Sequence, residues 1–188
     1  MAKIRLIFKG ISEILSGENL GLLILTDILE TRQVGIVCDQ HTQQMFGLRL
    51  SESVSTIKML PEVLSAIIGR REDESYEVCI TDIENGQYVA MVSDCFSNFS
   101  KPIDVCDGVL LSLISNIPLF IDSNLMMRQS IPYAPDSQRL SIPVNSISDS
   151  MLQHAMDKAV DEENYELASH LRDEINRRRM NKEREGEE

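Results

Sequence analysis

The chain has 188 residues, 43% hydrophobic and 26% charged, ordinary globular proportions that exclude a disordered or collagen-like polymer and leave room for one domain with a short appendage. Lys and Arg number 18 against 30 Asp and Glu, a net charge of −12, which argues against broad, sequence-independent binding of nucleic acid by counterion release. No apolar run approaches the roughly 20 residues of a membrane span, and no apolar core with a small-residue cleavage site follows Met1; a soluble, cytoplasmic chain is expected.

Lys3–Phe8 alternates Ile4, Leu6 and Phe8 against polar neighbours, with Ile7 out of phase, and predicts a strand. Leu20–Leu25 and Gln33–Cys38 are continuous apolar runs, as strands central in a sheet would be. Gln40–Leu50, with Met45, Phe46 and Leu48 at mixed spacing, reads as a helix. Pro61 opens a second helix through Val63, Leu64, Ile67 and Ile68 that ends at Gly69. Tyr76–Ile83 and Gln87–Val92 flank Glu84-Asn85-Gly86, a strong hairpin signal because both central turn positions need positive φ. Val109–Ile117 predicts an apolar helix stopped before Pro118, and Pro118–Ile121 a short strand. The mixture predicts an α+β fold: a mixed sheet with a few packed helices, followed by a C-terminal αα-hairpin.

From Asp122 to Asn145 Ser, Pro and Asn accumulate and periodicity fades, which reads as a connecting segment. Ser148 or Ser150 then caps a helix, Ser150 with Gln153 fitting a capping box, and Met151, Leu152, Ala155, Ala159 and Val160 form its apolar stripe. After Asp161-Glu162-Glu163-Asn164 a second stripe follows, Tyr165, Ala168, Leu171 and Ile175; the charged tail from Arg177 is expected to fray. The expected organisation is therefore a domain over 1–135, a linker over 136–147, a hairpin over 148–180 and a tail over 181–188. Two short helices are marginal in water alone, so their stripes must meet the main domain, a second copy or another protein. The Pro/Ser segment favours an outward-facing hairpin.

Cys38, Cys79, Cys95 and Cys106 form no metal-ligand or CxxC spacing and are expected as buried free thiols. His41, His154 and His170 read as surface residues, and there is no zinc-protease helix, phosphate-cradling glycine loop or nucleophile elbow.

Two resemblances add to this. Ala159-Val160-Asp161-Glu162-Glu163-Asn164-Tyr165-Glu166-Leu167-Ala168, followed by Leu171-Arg172-Asp173-Glu174-Ile175, resembles the UVR motif. That resemblance implies protein–protein contact through the hairpin, with Tyr165, Ala168, Leu171, Arg172 and Ile175 as the binding residues. The preceding domain resembles the bifunctional nuclease family in Arg5-Leu6 through Gly10-Ile11-Ser12, Leu22–Leu25, Ile36-Val37, Glu77–Val92 and Asp107 through Pro118-Leu119-Phe120. This implies metal-assisted hydrolysis of DNA or RNA phosphodiesters and a homo-oligomer. Of the family's polar set, the carboxylates fall on Glu62 and Asp107, and Asp104 stands in an arginine place. The histidine place is Pro61, and the glycine and Glu-Ala places are Asp39 and Thr42-Gln43. Asp107, Glu62 and Asp104 are thus the candidate catalytic residues, with Asp107 and Asp104, three apart at a helix start, the candidate ligands of Mg2+ or Mn2+. A non-catalytic scaffold that keeps the fold and recruits a partner through the hairpin is the alternative.

Overall fold

A computed structural model of the chain describes residues 2–13, 20–51, 56–68, 75–134, 147 and 149–185. Within them the polypeptide forms eight strands and six helices: β1 (Lys3–Glu13), β2 (Gly21–Asp27), β3 (Arg32–Cys38), α1 (Gln40–Leu50), α2 (Leu60–Ile68), β4 (Tyr76–Glu84), β5 (Gln87–Asp94), β6 (Ser100–Ile103), α3 (Val105–Ser115), β7 (Leu119–Asp122), α4 (Ser123–Gln129), β8 (Ile131–Pro132), α5 (Asp149–Asp161) and α6 (Tyr165–Glu185). All eight strands join one sheet in the order β6-β5-β4-β7-β1-β2-β3-β8. It is mixed: β4 and β7 run parallel, while β1 pairs antiparallel with both β7 and β2. The α+β architecture with a C-terminal hairpin is what the sequence predicts.

The centre of the sheet follows from its apolar runs. β2 is buried from Gly21 through Thr26 and hydrogen-bonds to a neighbour on each edge, as its unbroken Leu-Leu-Ile-Leu requires. Leu22, Leu23, Leu25, Ile36, Val78, Ile80 and Ile121 are almost wholly removed from water. Phe46 of α1 joins them, its ring centroid 5.1 Å from that of Phe8. β1 carries a bulge between Phe8 and Gly10, where Gly10 adopts φ +153°. The hairpin between β4 and β5 turns at Asn85 (φ +50°) and Gly86 (φ +82°), both positive as the Asn-Gly pair predicts.

The structure corrects the sequence reading of several elements. α3 starts at Val105 rather than Val109, because Asp104 caps it; its end is set by Asn116, at φ +61°. The stretch after Asp122 is not all connector. Asp122 Oδ1 accepts from the backbone N–H of Asn124 and Leu125 and starts α4, which buries Leu125 and Met126, and β8 then pairs with β3. The short β6 beside β5 has no sequence signal beyond Pro102, which sits at the sheet edge where no ladder donor is missed. Finally, Ser150 lies inside α5 rather than capping it, and Gln153 donates to Asp157 at 3.1 Å. Ser148 and most of the 136–147 linker lie outside the described residues.

The chain divides into two units, Met1–Asp82 with Tyr88–Ser141 and Ile83–Gln87 with Ile142–Glu188. Among the described residues no helix is long and apolar enough to cross a membrane. All four cysteines are free; only Cys38 is buried, Cys79 and Cys106 are half-buried and Cys95 is exposed, against the expectation that the thiols are buried.

Candidate functional site

The three carboxylates singled out in the sequence sit on two helices of the first unit. Asp104 ends the extended approach to α3, and its Oδ1 accepts from the N–H of Cys106 (2.8 Å) and Asp107 (3.2 Å). It thereby satisfies two backbone donors that the first turn leaves open. Asp107 lies in that turn, where a negative charge complements the helix dipole. Its carboxyl is nevertheless pushed above the usual range, by burial first and by the charge of Asp104 second, with His41 acting in the opposite direction.

Glu62 is engaged elsewhere. Arg49, from the last turn of α1, donates Nη2 to Glu62 Oε2 at 2.8 Å and Nη1 to the Met45 carbonyl at 2.6 Å. Both partners are largely withdrawn from water, with side-chain exposures of 6% for Arg49 and 14% for Glu62. Burial, the largest single influence, pushes the Glu62 carboxyl up, but the hydrogen bonds from Arg49 and Thr56, its own backbone bond and the Arg49 charge together hold the group below its ordinary value. The pair ties the end of α1 to the start of α2. Arg49 carries no motif, and sequence reasoning did not find it.

The residues in the family's glycine and Glu-Ala places also have local tasks. Asp39 caps α1, its Oδ1 accepting from Thr42 N–H at 2.7 Å, and this bond holds its carboxyl low. Burial, and next to it the Asp39 charge, pushes the Cys38 thiol up to about 11, and burial with the Asp104 charge raises Cys106 too, so neither is a thiolate nucleophile at neutral pH. Among the described residues no group of three His, Cys, Asp or Glu is arranged to hold a metal ion. Asp104 and Asp107 share one helix start, while the Glu62 carboxylate is bound to a guanidinium on another pair of helices. A groove of about 310 Å3 does open in the first unit, lined by Arg5, Ile7, Ile28, Leu113, Asn116 and Pro118 among others, but none of the three carboxylates lines it.

The C-terminal hairpin has its own core. Leu152 and Ala159 of α5 meet Ala168 and Leu171 of α6, with Ala155, Met156 and Ile175 packed around them. Most of the two stripes read from the sequence therefore face each other, while Val160 and Tyr165 do not join the core. Of the five expected binding residues, Ala168 and Leu171 are buried and Ile175 is partly buried in that core, while Tyr165 (67% exposed) and Arg172 face solvent. The turn is built by backbone chemistry: Asn164 N–H donates to Ala159 O at 2.8 Å and Glu163 N–H to Val160 O at 3.0 Å, with Glu163 at φ +57°. These are the bonds of a Schellman ending. Asn164 Oδ1 then accepts from Leu167 N–H at 3.3 Å, so one residue closes α5 and opens α6.

α6 continues beyond the point where fraying is expected. The reason is Arg178, which is buried and donates Nη1 to Ile147 O (2.7 Å) and Asp149 Oδ1 (3.0 Å) and Nε to Glu174 Oε1 (2.9 Å). Arg177 grips both oxygens of Glu174 at 2.8 Å, and these hydrogen bonds hold the Glu174 carboxyl low. A run of three arginines reads as a solvated face in sequence; only the packing distinguishes the one that is structural.

Comparison with the curated proteins gives no match to this chain. Residues 152–178 match the UvrB/uvrC motif, which spans from Leu152, the first core position of α5, through Arg178 of α6.

Proposed function

We propose that this protein is a non-catalytic interaction module: a mixed α/β body joined to a UVR-type hairpin that recruits a partner protein. The observation that carries this reading is the division of labour within the hairpin. Its core is internally satisfied by Leu152, Ala159, Ala168 and Leu171, so the helices hold their shape, while Val160, Tyr165 and Leu167 remain exposed around the turn. A rigid scaffold presenting apolar and aromatic anchors is what a recognition surface needs. Arg172 adds an exposed guanidinium on the same helix. The engagement of the carboxylates supports the non-catalytic side of the reading, since Asp104 serves as a cap and Glu62 as the partner of a buried arginine.

The competing reading is the nuclease implied by the resemblance, working through Asp107 with Mg2+ or Mn2+. Both are tested on the full chain. Labelled single- and double-stranded DNA and RNA are incubated with either metal, using the parent and Asp107→Asn. No Asp107-dependent cleavage is expected; cleavage lost in the variant overturns the scaffold reading. In parallel, affinity capture compares the parent with Tyr165→Asp/Leu167→Asp. Proteins retained by the parent and lost from the variant are expected, and an identical captured set removes the hairpin from recognition.

A further inference from the structure

The groove of about 310 Å3 in the first unit is lined by a strand and a helix, β1 from Arg5 to Phe8 and α3 with Leu113 and Asn116, together with Ile28 and Pro118. Its volume is at the lower end of the ~300–1,000 Å3 typical of small-molecule sites. The lining is mostly apolar, and part of it stays in water: Ile7 is 38%, Leu113 39% and Ile28 55% exposed. Two polar side chains interrupt it, Arg5 and Asn116. The other described arginines of this unit are engaged: Arg32 donates to Ser130, Arg49 to Glu62, and Arg128 lies 3.9 Å from Asp82. Among the described residues no partner takes the Arg5 guanidinium, and none takes the side-chain amide of Asn116, the left-handed residue (φ +61°) that ends α3. Ser112 is not a third such group, because its hydroxyl donates to Ile117 O at 2.7 Å.

We infer that this groove binds a small aliphatic monocarboxylate, its chain against the apolar walls and its carboxylate held by Arg5, with the Asn116 amide as a second donor. Charge selects the anion. With 30 acidic residues to 18 basic ones, a guanidinium left without a carboxylate is the exception in this unit, and the anion that complements it comes from outside the fold. One guanidinium matches one carboxylate, whose two oxygens accept its parallel N–H groups. A polyphosphate would bring several negative charges to a single cation on a chain of net charge −12. The walls select the body of the ligand. A sugar or other hydroxyl-rich body would lose water against Ile7, Leu113 and Pro118 without gaining hydrogen bonds, whereas an alkyl chain gains by covering them. The small volume suits a chain of several carbons rather than a folded partner.

Titration of the full chain with octanoate at neutral pH, followed by amide proton–nitrogen correlation spectra, tests this, with octanol as the uncharged body and acetate as the bare charge. Two variants accompany the parent: Arg5→Gln, and Leu113→Trp, which fills the groove. Both positions are exposed, so the circular dichroism spectra should match the parent. The expected result is saturable binding of octanoate at or below about 1 mM, with shifts centred on β1, Ile28 and α3. Octanol should bind about tenfold more weakly, and acetate should not saturate. Arg5→Gln should reduce octanoate to the octanol level, and Leu113→Trp should weaken both. No saturation by octanoate at about 10 mM would overturn the inference. So would equal affinity for octanoate and octanol, an Arg5→Gln variant that binds octanoate like the parent, or shifts centred outside the groove.

Discussion

The Arg49–Glu62 pair shows how one contact decides the role of a residue that sequence analysis assigns to chemistry. A carboxylate after Pro61, in the place of a family carboxylate under the sequence resemblance, invites a catalytic reading, yet its oxygen faces a guanidinium 2.8 Å away. Glu62→Gln should cost about 1.5–3 kcal/mol in unfolding free energy, the usual scale for a hydrogen bond to a charged group. Because the folded carboxyl is held low, its contribution is fully present above the ordinary Glu range and is lost as pH falls through the depressed value. Urea unfolding of parent and variant should therefore differ by a constant amount above about pH 5 and converge in more acidic solution; a gap that persists unchanged under acid would mean that the ionised pair is not its source. Asp107 has the opposite sign: its raised value makes the ionised form the costlier one, so it opposes stability as pH rises.

Among the elements, the C-terminal hairpin separates residues that hold it from residues that face outward. Leu171 is 3% exposed and sits between the helices, whereas Tyr165 projects from the first turn of α6. Leu171→Ala should cost about 2–4 kcal/mol and reduce the helical signal of the hairpin; Tyr165→Ala should leave it within about 0.5 kcal/mol. Thermal melts followed by far-ultraviolet circular dichroism check the contrast. Equal losses in both variants would show that the aromatic is part of the core. A similar logic explains α4 and β8. Ser-Asn-Leu-Met-Met-Arg-Gln has too few turns for a periodic signal, and Ile-Pro is too short to read as a strand. Asp122 as a cap and the edge of β3 as a template supply what local propensity lacks.

Across the whole molecule the net charge of −12 is the dominant long-range fact, and it argues against nucleic acid as a general ligand. Fluorescence anisotropy of a labelled DNA duplex, titrated with the full chain at low and physiological salt, should show no saturable binding at micromolar concentration. Binding that weakens steeply with added salt would reveal a local basic surface and reopen the nucleic-acid reading. Among the described residues, α2 and the turn of the C-terminal hairpin are two of the places where aliphatic side chains stay exposed.

How much was legible divides along a physical line. Properties written in consecutive residues were readable by themselves: the buried β2 and β3, the Asn85-Gly86 turn, α1 to its exact ends, and the hairpin over α5 and α6. Each rests on periodicity, capping or turn geometry, which act within a few residues. What only the tertiary structure decided depends on partners distant in the chain. It engaged Glu62 with Arg49, packed Leu152 and Ala159 against Ala168 and Leu171, picked Arg178 out of three adjacent arginines, and left the apolar residues of α2 largely exposed. Hydrophobic spacing states that a helix has an apolar side; which surface that side meets is set by the rest of the fold.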